Sequence, residues 1–176
     1  MESPPCESPS TRSHKAEAPR SVPCAVLVIS TSVSAGTKED RSGHVVRSLL
    51  EAAGHPVVAF EVVPDDPDRI REAVLRLSNG EARCLVATGG TGLVESDVTY
   101  ETVRPLFRKE IAGFLPLFMA LSIDQVGPAC MLSRACAGLV GRAVAFFLPG
   151  SPNGVRLAME KIILPEAAHI VKHLRD

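Results

Sequence analysis

Three short apolar runs, separated by two segments of helical period, set the fold of the chain from residue 22 onward. Val22 to Ser30 (VPCAVLVIS) has no polar alternation, so it reads as a strand covered on both faces. Ser42 to Ala53 spaces Val45, Val46, Leu49 and Leu50 along one helix face, and Gly54 ends it. Val57 to Val63 is a second strand. Ile70, Ala73, Val74 and Leu77 mark a second helix closed by Asn79-Gly80, and Cys84 to Thr88 is a third strand. The order β-α-β-α-β predicts an α/β fold: a doubly wound, mostly parallel sheet with helices on both faces.

The rest is less regular. A short helix is expected near Thr99, and Ala112 to Ile123 is apolar enough for a helix despite Gly113 and Pro116. Met131–Ala137 and Arg142–Leu148 read as strands on either side of Gly138 and Gly141. Pro152 to Leu174 reads as one long amphipathic helix kinked at Pro165. Residues 1–21 hold Pro4, Pro5, Pro9 and Pro19, five serines and almost no aliphatic side chain. They read as a disordered tail ahead of one domain, 22–176.

Composition narrows the function. The net charge is −1, from 19 basic and 20 acidic residues, which argues against a protein built to grip nucleic acid or an anionic membrane. Aromatics are 4 %, too few for single-strand stacking. The five cysteines form no C-x-x-C pair, which points to reduced thiols in a cytoplasmic protein and away from a disulfide or zinc framework. No secretory signal is read at the N-terminus, and no run is read as reaching the ~18–20 apolar residues of a membrane span.

Ligands of open α/β sheets bind beyond the carboxyl ends of the strands, and three loops there carry chemistry. Thr88-Gly89-Gly90-Thr91-Gly92 follows the third strand. Its glycines allow close backbone approach and an anion nest. It lacks the Gly-Lys-Ser/Thr of a P-loop, and Glu95 stands where a dinucleotide fingerprint needs its last glycine. A nicotinamide-dependent oxidoreductase is disfavoured, because Thr31–Thr37 after the first strand lacks the required glycines. In Pro64-Asp65-Asp66-Pro67-Asp68, Asp66 fits an N-cap and Pro67 an N1 proline, which leaves Asp65 over as a candidate Mg²⁺ ligand. In Leu148-Pro149-Gly150-Ser151-Pro152, Ser151 fits an N-cap, and the glycine turn is also suited to an anion. Asp97 follows closely enough on the glycine loop to hold a metal, unless it caps the next helix. Asp65 and Asp97 beside a phosphate cradle suit Mg²⁺-assisted nucleotidyl transfer. Asp40, Ser42 and Gly43 are either an ordinary helix start or a fourth ligand-contacting loop. Glu166, His169 and His173 share one helix face and read as solvated.

Taken in order, Val26–Ser30 with Asp40-x-Ser42-Gly43, Val62-Val63-Pro64-Asp65-Asp66, the Thr88–Gly92 segment with Asp97-Val98-Thr99, Met131-Leu132-Ser133-Arg134-Ala135 and Leu148–Pro152 resemble the MoaB/Mog family of molybdenum cofactor biosynthesis. The resemblance covers roughly residues 22–176. It implies a homotrimer or hexamer that binds molybdopterin and ATP and, with Mg²⁺, forms adenylyl-molybdopterin and pyrophosphate. Asp65 and Asp97 match the family's metal and catalytic aspartates. Thr88, Gly89, Gly90, Thr91, Gly92, Thr99, Ser133, Arg134, Pro149, Gly150 and Ser151 match its substrate- and nucleotide-binding positions.

The chain also departs from the family. Val94-Glu95-Ser96 stands where Gly-Pro-Arg is usual, Gly113-Phe114-Leu115-Pro116 replaces Gly-Phe-Gly-Glu, and Ser30-Thr31 replaces Ser-Asp. A cation and two carboxylates are thereby lost. The alternative function is a non-catalytic molybdopterin-binding or assembly protein, which would bind ligand without releasing pyrophosphate.

Overall fold

The computed structural model describes residues 19–174. Most of the expected tail, residues 1–18, therefore lies outside the described residues. The elements are β1 Cys24–Ile29, α1 Thr31–Ser34, α2 Ser42–Ala52, β2 Val57–Val63, α3 Pro67–Asn79, β3 Cys84–Thr88, α4 Thr99–Val103, β4 Lys109–Glu110, α5 Phe114–Val126, β5 Cys136–Val140, β6 Ala143–Leu148, α6 Pro152–Ala158 and α7 Leu164–His173. Short 3-10 turns cover Arg104–Leu106 and Gly127–Leu132, and a π-helical turn, Met159–Ile163, joins α6 to α7.

One six-stranded sheet has the order β2-β1-β3-β6-β5-β4. β2, β1, β3 and β6 run parallel, and β5 and β4 add antiparallel pairings at one side. The doubly wound, mostly parallel sheet expected from the sequence is thus present. All six residues of β1 are buried, and period-two alternation divides them between two cores. Cys24 and Val26 pack with Val46 and Leu50 of α2, Phe114 and Phe118 of α5 and the C-terminal helices. Ala25, Leu27 and Ile29 pack with Ile70, Ala73 and Val74 of α3 on the other face.

Local chemistry sets the helix starts. Asp66 caps α3 by accepting from the N–H groups of Asp68 (3.1 Å) and Arg69 (2.9 Å), with Pro67 in the first turn. Ser151 caps α6, accepting from Gly154 N (3.3 Å).

Four expectations need correction. The loop after β1 contains the one-turn helix α1, capped by Ser30. The strand expected over Met131–Ala137 starts only at Cys136, because Met131 and Leu132 close a 3-10 turn. The last helix is continuous from Pro152 to His173, but it widens to a π-turn, Met159–Ile163, ahead of Pro165: proline cannot donate to the carbonyl four residues back, and the wider turn relieves the clash. Phe114–Leu132 is long and apolar enough by composition to count as a membrane span, with only 17 % of its window buried. It is not one continuous α-helix. α5 stops at Val126, and 13 residues at 1.5 Å each span about 20 Å, short of a ~30 Å hydrocarbon layer.

Candidate functional site

The carboxyl ends of β1, β2, β3 and β6 lie on one rim, and the strand order reverses between β1 and β3. An open cleft of ≈ 610 Å³ sits there, and Asp65, Asp97, Thr88, Gly89, Gly90 and Gly150 all line it. The two aspartates, 32 positions apart in the chain, share one pocket.

The glycine loop explains its own composition. Gly89 has φ +111° and a Cβ there would run into the Ile29 carbonyl. Gly90 has φ +62°, and its Cβ would strike the Thr99 hydroxyl and come within 3.1 Å of Asp65 Oδ1. Gly89 N–H donates to Leu148 O at 3.0 Å. Thr99 locks the turn from below: its N–H donates to Gly90 O (3.0 Å) and its hydroxyl to Gly89 O (3.0 Å). Thr88, buried behind the loop, donates to Pro149 O at 2.9 Å, and Ser42 donates to Gly150 O at 2.7 Å. The β3, β6 and α2 loops are therefore one hydrogen-bonded unit.

Asp65 Oδ2 accepts from the N–H (2.7 Å) and hydroxyl (2.8 Å) of Thr31, and its own N–H donates to Thr31 Oγ1 (3.1 Å). Those bonds orient the carboxylate and leave Oδ1 toward Gly90. Asp97 does not cap α4, whose N-cap is Val98. It folds back on its own loop, Oδ2 accepting from Val94 N at 3.3 Å.

The other predicted positions support the cleft from outside its lining. Arg134 Nε donates to Gly92 O (2.9 Å) and Nη2 to Asp97 O (2.8 Å). Its Nη1 pairs with Glu101, and its backbone N–H donates to Thr91 O (3.2 Å). The guanidinium also lies 5.5 Å from the centre of the Tyr100 ring. Arg134 is a clamp on the glycine loop. Ser133 accepts from Ala135 N at 3.4 Å, while Thr91, Gly92, Thr99, Pro149 and Ser151 form the backing of the loops.

Lys38, Arg41 and Asp40 also line the cleft. Asp40 is one of the sequence candidates; Lys38 and Arg41 are not. The signal was the charged run Lys38-Glu39-Asp40-Arg41 in an otherwise small, polar loop. Asp40 Oδ1 accepts from Gly43 N (2.8 Å), while Oδ2 is enclosed without a hydrogen-bond partner. A buried carboxylate oxygen without a donor is costly, and a ligand N–H in the cleft would satisfy it.

No group of three or more His, Cys, Asp or Glu among the described residues could hold a metal ion. His169 accepts or donates at Glu166 (2.9 Å) and His173 (3.1 Å) away from the cleft. Burial pushes the Cys136 thiol up to about 12, which leaves it unsuited to nucleophilic work at neutral pH.

Fold and rim together define an α/β domain with an open cleft at the switch point of its sheet, lined by the carboxylates of Glu39, Asp40, Asp65 and Asp97 and the cations of Lys38 and Arg41. Residues 25–169 match the model of the probable molybdopterin binding domain family. The chain is 45 % identical over 167 residues to molybdenum cofactor biosynthesis protein B of Bacillus anthracis, covering 94 % of this chain and 98 % of that one. It is 39 % identical over 167 residues to the molybdopterin adenylyltransferase of Pyrococcus furiosus, covering 93 % and 97 %. The crystal structure of the Pyrococcus furiosus tungsten cofactor synthesizing protein MoaB superposes with a TM-score of 0.83 at 37 % identity, covering 90 % of this chain and all of that one. The chain belongs to the MoaB-type molybdopterin-binding family.

Proposed function

We propose that the protein adenylylates molybdopterin with ATP. The terminal phosphate oxygen of molybdopterin attacks the α-phosphorus of ATP. A P–O–P bond forms, the α–β phosphoanhydride bond breaks, and pyrophosphate leaves with the electron pair. The observation that carries this reading is the convergence of Asp65, Asp97 and the Gly89-Gly90 turn on one cleft.

The N–H groups of Gly90 and Thr91 face no acceptor within the described residues and suit phosphate oxygens. Lys38 lines the same cleft and can meet a phosphate oxygen, beside Arg41, which pairs with Glu39 at 3.7 Å. The enclosed Asp40 Oδ2 suits the N–H edge of a pterin. Orientation of the attacking phosphate falls to Asp97, on the loop clamped by Arg134, and Thr31 holds Asp65 in register. Asp65 and Asp97 suit Mg²⁺, which takes one or two protein carboxylates and completes its shell with water and substrate phosphates. Asp65 and Asp97 would hold it, and it supplies charge neutralisation on the phosphoryl oxygens.

Homotrimeric or hexameric assembly belongs to the same proposal. Leu117, Ile123, Val126, Met131 and Leu132 are all about half exposed or more on α5 and the turn after it, an apolar face that a second copy would cover. Cytoplasmic residence, where ATP and reduced thiols are kept, completes it.

Asp97→Asn tests the assignment. It should leave the fold and circular dichroism unchanged and lower the rate of adenylyl-molybdopterin formation by at least about 10²-fold. Unchanged turnover would remove Asp97 from the chemistry.

A further inference from the structure

A second cleft, ≈ 540 Å³, lies at the opposite end of the sheet and is lined by Arg83, Arg108 and Arg142 together with Asn79, Val171 and Leu174. Each arginine stands immediately before the first residue of a strand: Arg83 before β3, Arg108 before β4, Arg142 before β6. These strands run in one direction, since β6 is parallel to β3 and β4 and β6 are both antiparallel to β5. The three side chains therefore leave the sheet at the same rim. Their backbones are fixed by main-chain hydrogen bonds, Arg83 N to Pro23 O (2.8 Å), Arg108 N to Leu139 O (2.8 Å) and Arg142 N to Ser78 O (2.9 Å).

Among the described residues, no carboxylate answers their charge. Every described arginine from Arg41 onward has a carboxylate within 4.0 Å except these three. No acidic residue among those described lines the cleft. In a chain whose net charge is −1, three guanidinium groups without a carboxylate partner among the described residues thus gather around one cavity. Arg83 Nη1 is turned onto the carbonyls of Gly80, Glu81 and Ala82 (3.0, 3.1 and 3.0 Å), which holds that head group in place. Arg108 and Arg142 are exposed. Guanidinium groups bind phosphate oxygens in paired hydrogen bonds, and a multivalent anion would relieve the mutual repulsion of the three.

We propose that this cleft is a second anion site, which takes a compact polyanion of the phosphate class, distinct from the Asp65–Asp97 cleft and independent of the reaction assigned there. The apolar pair Val171 and Leu174 gives room for the organic part of a phosphate ester.

The test is a titration of arginine-¹⁵N-labelled protein followed at the side-chain Nε–Hε resonances, in salt near the physiological range. Inorganic tripolyphosphate is the first probe; phenyl phosphate and inorganic phosphate, compared with each other, are the second and third. Saturable shifts at Arg83, Arg108 and Arg142 together, with none at the ion-paired Arg47, are expected. Arg108→Gln should weaken binding about tenfold while adenylyl transfer and circular dichroism stay unchanged. Tighter binding of phenyl phosphate than of inorganic phosphate would assign the site to an ester; equal binding would assign it to the free anion. Shifts that do not saturate, or that appear equally at Arg47, would overturn the proposal, as would full affinity in the Arg108 variant.

Discussion

Gly90 shows how a single position serves fold and function together. Its positive φ turns the chain, and its missing Cβ leaves room for both the Thr99 hydroxyl and the Asp65 carboxylate. This was legible in the sequence, because three glycines in four residues after a buried strand have few other uses. Asp65 was legible by subtraction, since Asp66 and Pro67 account for the helix start and leave it over. Lys38 and Arg41 were not, because nothing local says which face of a polar loop will meet a cleft whose walls include residues as distant in sequence as Asp97 and Gly150. His55 carries a prediction at this scale. Val22 N–H donates to its Nδ1 (3.2 Å), and burial pushes its pKa below the usual 6.5. Between the lowered folded value and 6.5 the unfolded chain binds the proton and the folded one does not. The contribution of neutral His55 to stability is therefore complete above pH 6.5 and is lost as the pH falls below it. Urea midpoints measured from about pH 5 to 8 should drop on the acid side in the wild type, and the drop should be smaller in His55→Gln.

Among the elements, those with strong periodicity were read correctly and those set by tertiary context were not. β1, β2, β3, α2 and α3 fall within a residue or two of their expected limits; all but β2, a half-buried edge strand, bury a continuous face. The Met131–Ala137 segment looked like a strand, yet its first half turns, since the backbone of Arg134 must reach Thr91 O. That contact spans 43 positions and leaves no local trace. The same long reach makes Arg134 a positioning residue. With its guanidinium on Gly92 O and Asp97 O, Arg134→Met should release the loop and cut kcat about 10–100-fold, with far-ultraviolet circular dichroism unchanged. A rise in KM alone, at constant kcat, would instead mean that Arg134 acts on ground-state binding.

For the molecule as a whole, the sheet brings four loops to one rim and leaves an apolar helix face on the outside. If a second copy covers α5, Ile123→Glu should shift sedimentation from a trimer or hexamer to a monomer, and the monomer should retain its fold because Ile123 is 51 % exposed. A wild-type protein that sediments as a monomer would contradict the assembly. Hydrophobic patterning says only that α5 is apolar and not which side a neighbour would take. The departures at Glu95, Ser96, Leu115 and Pro116 bear on a larger question, whether this cleft turns over or only binds. The decisive measurement is pyrophosphate release by the purified protein supplied with molybdopterin, ATP and Mg²⁺, with the pterin product identified by mass. One pyrophosphate for each adenylyl-molybdopterin formed is the predicted result; saturable molybdopterin binding with neither product would contradict it.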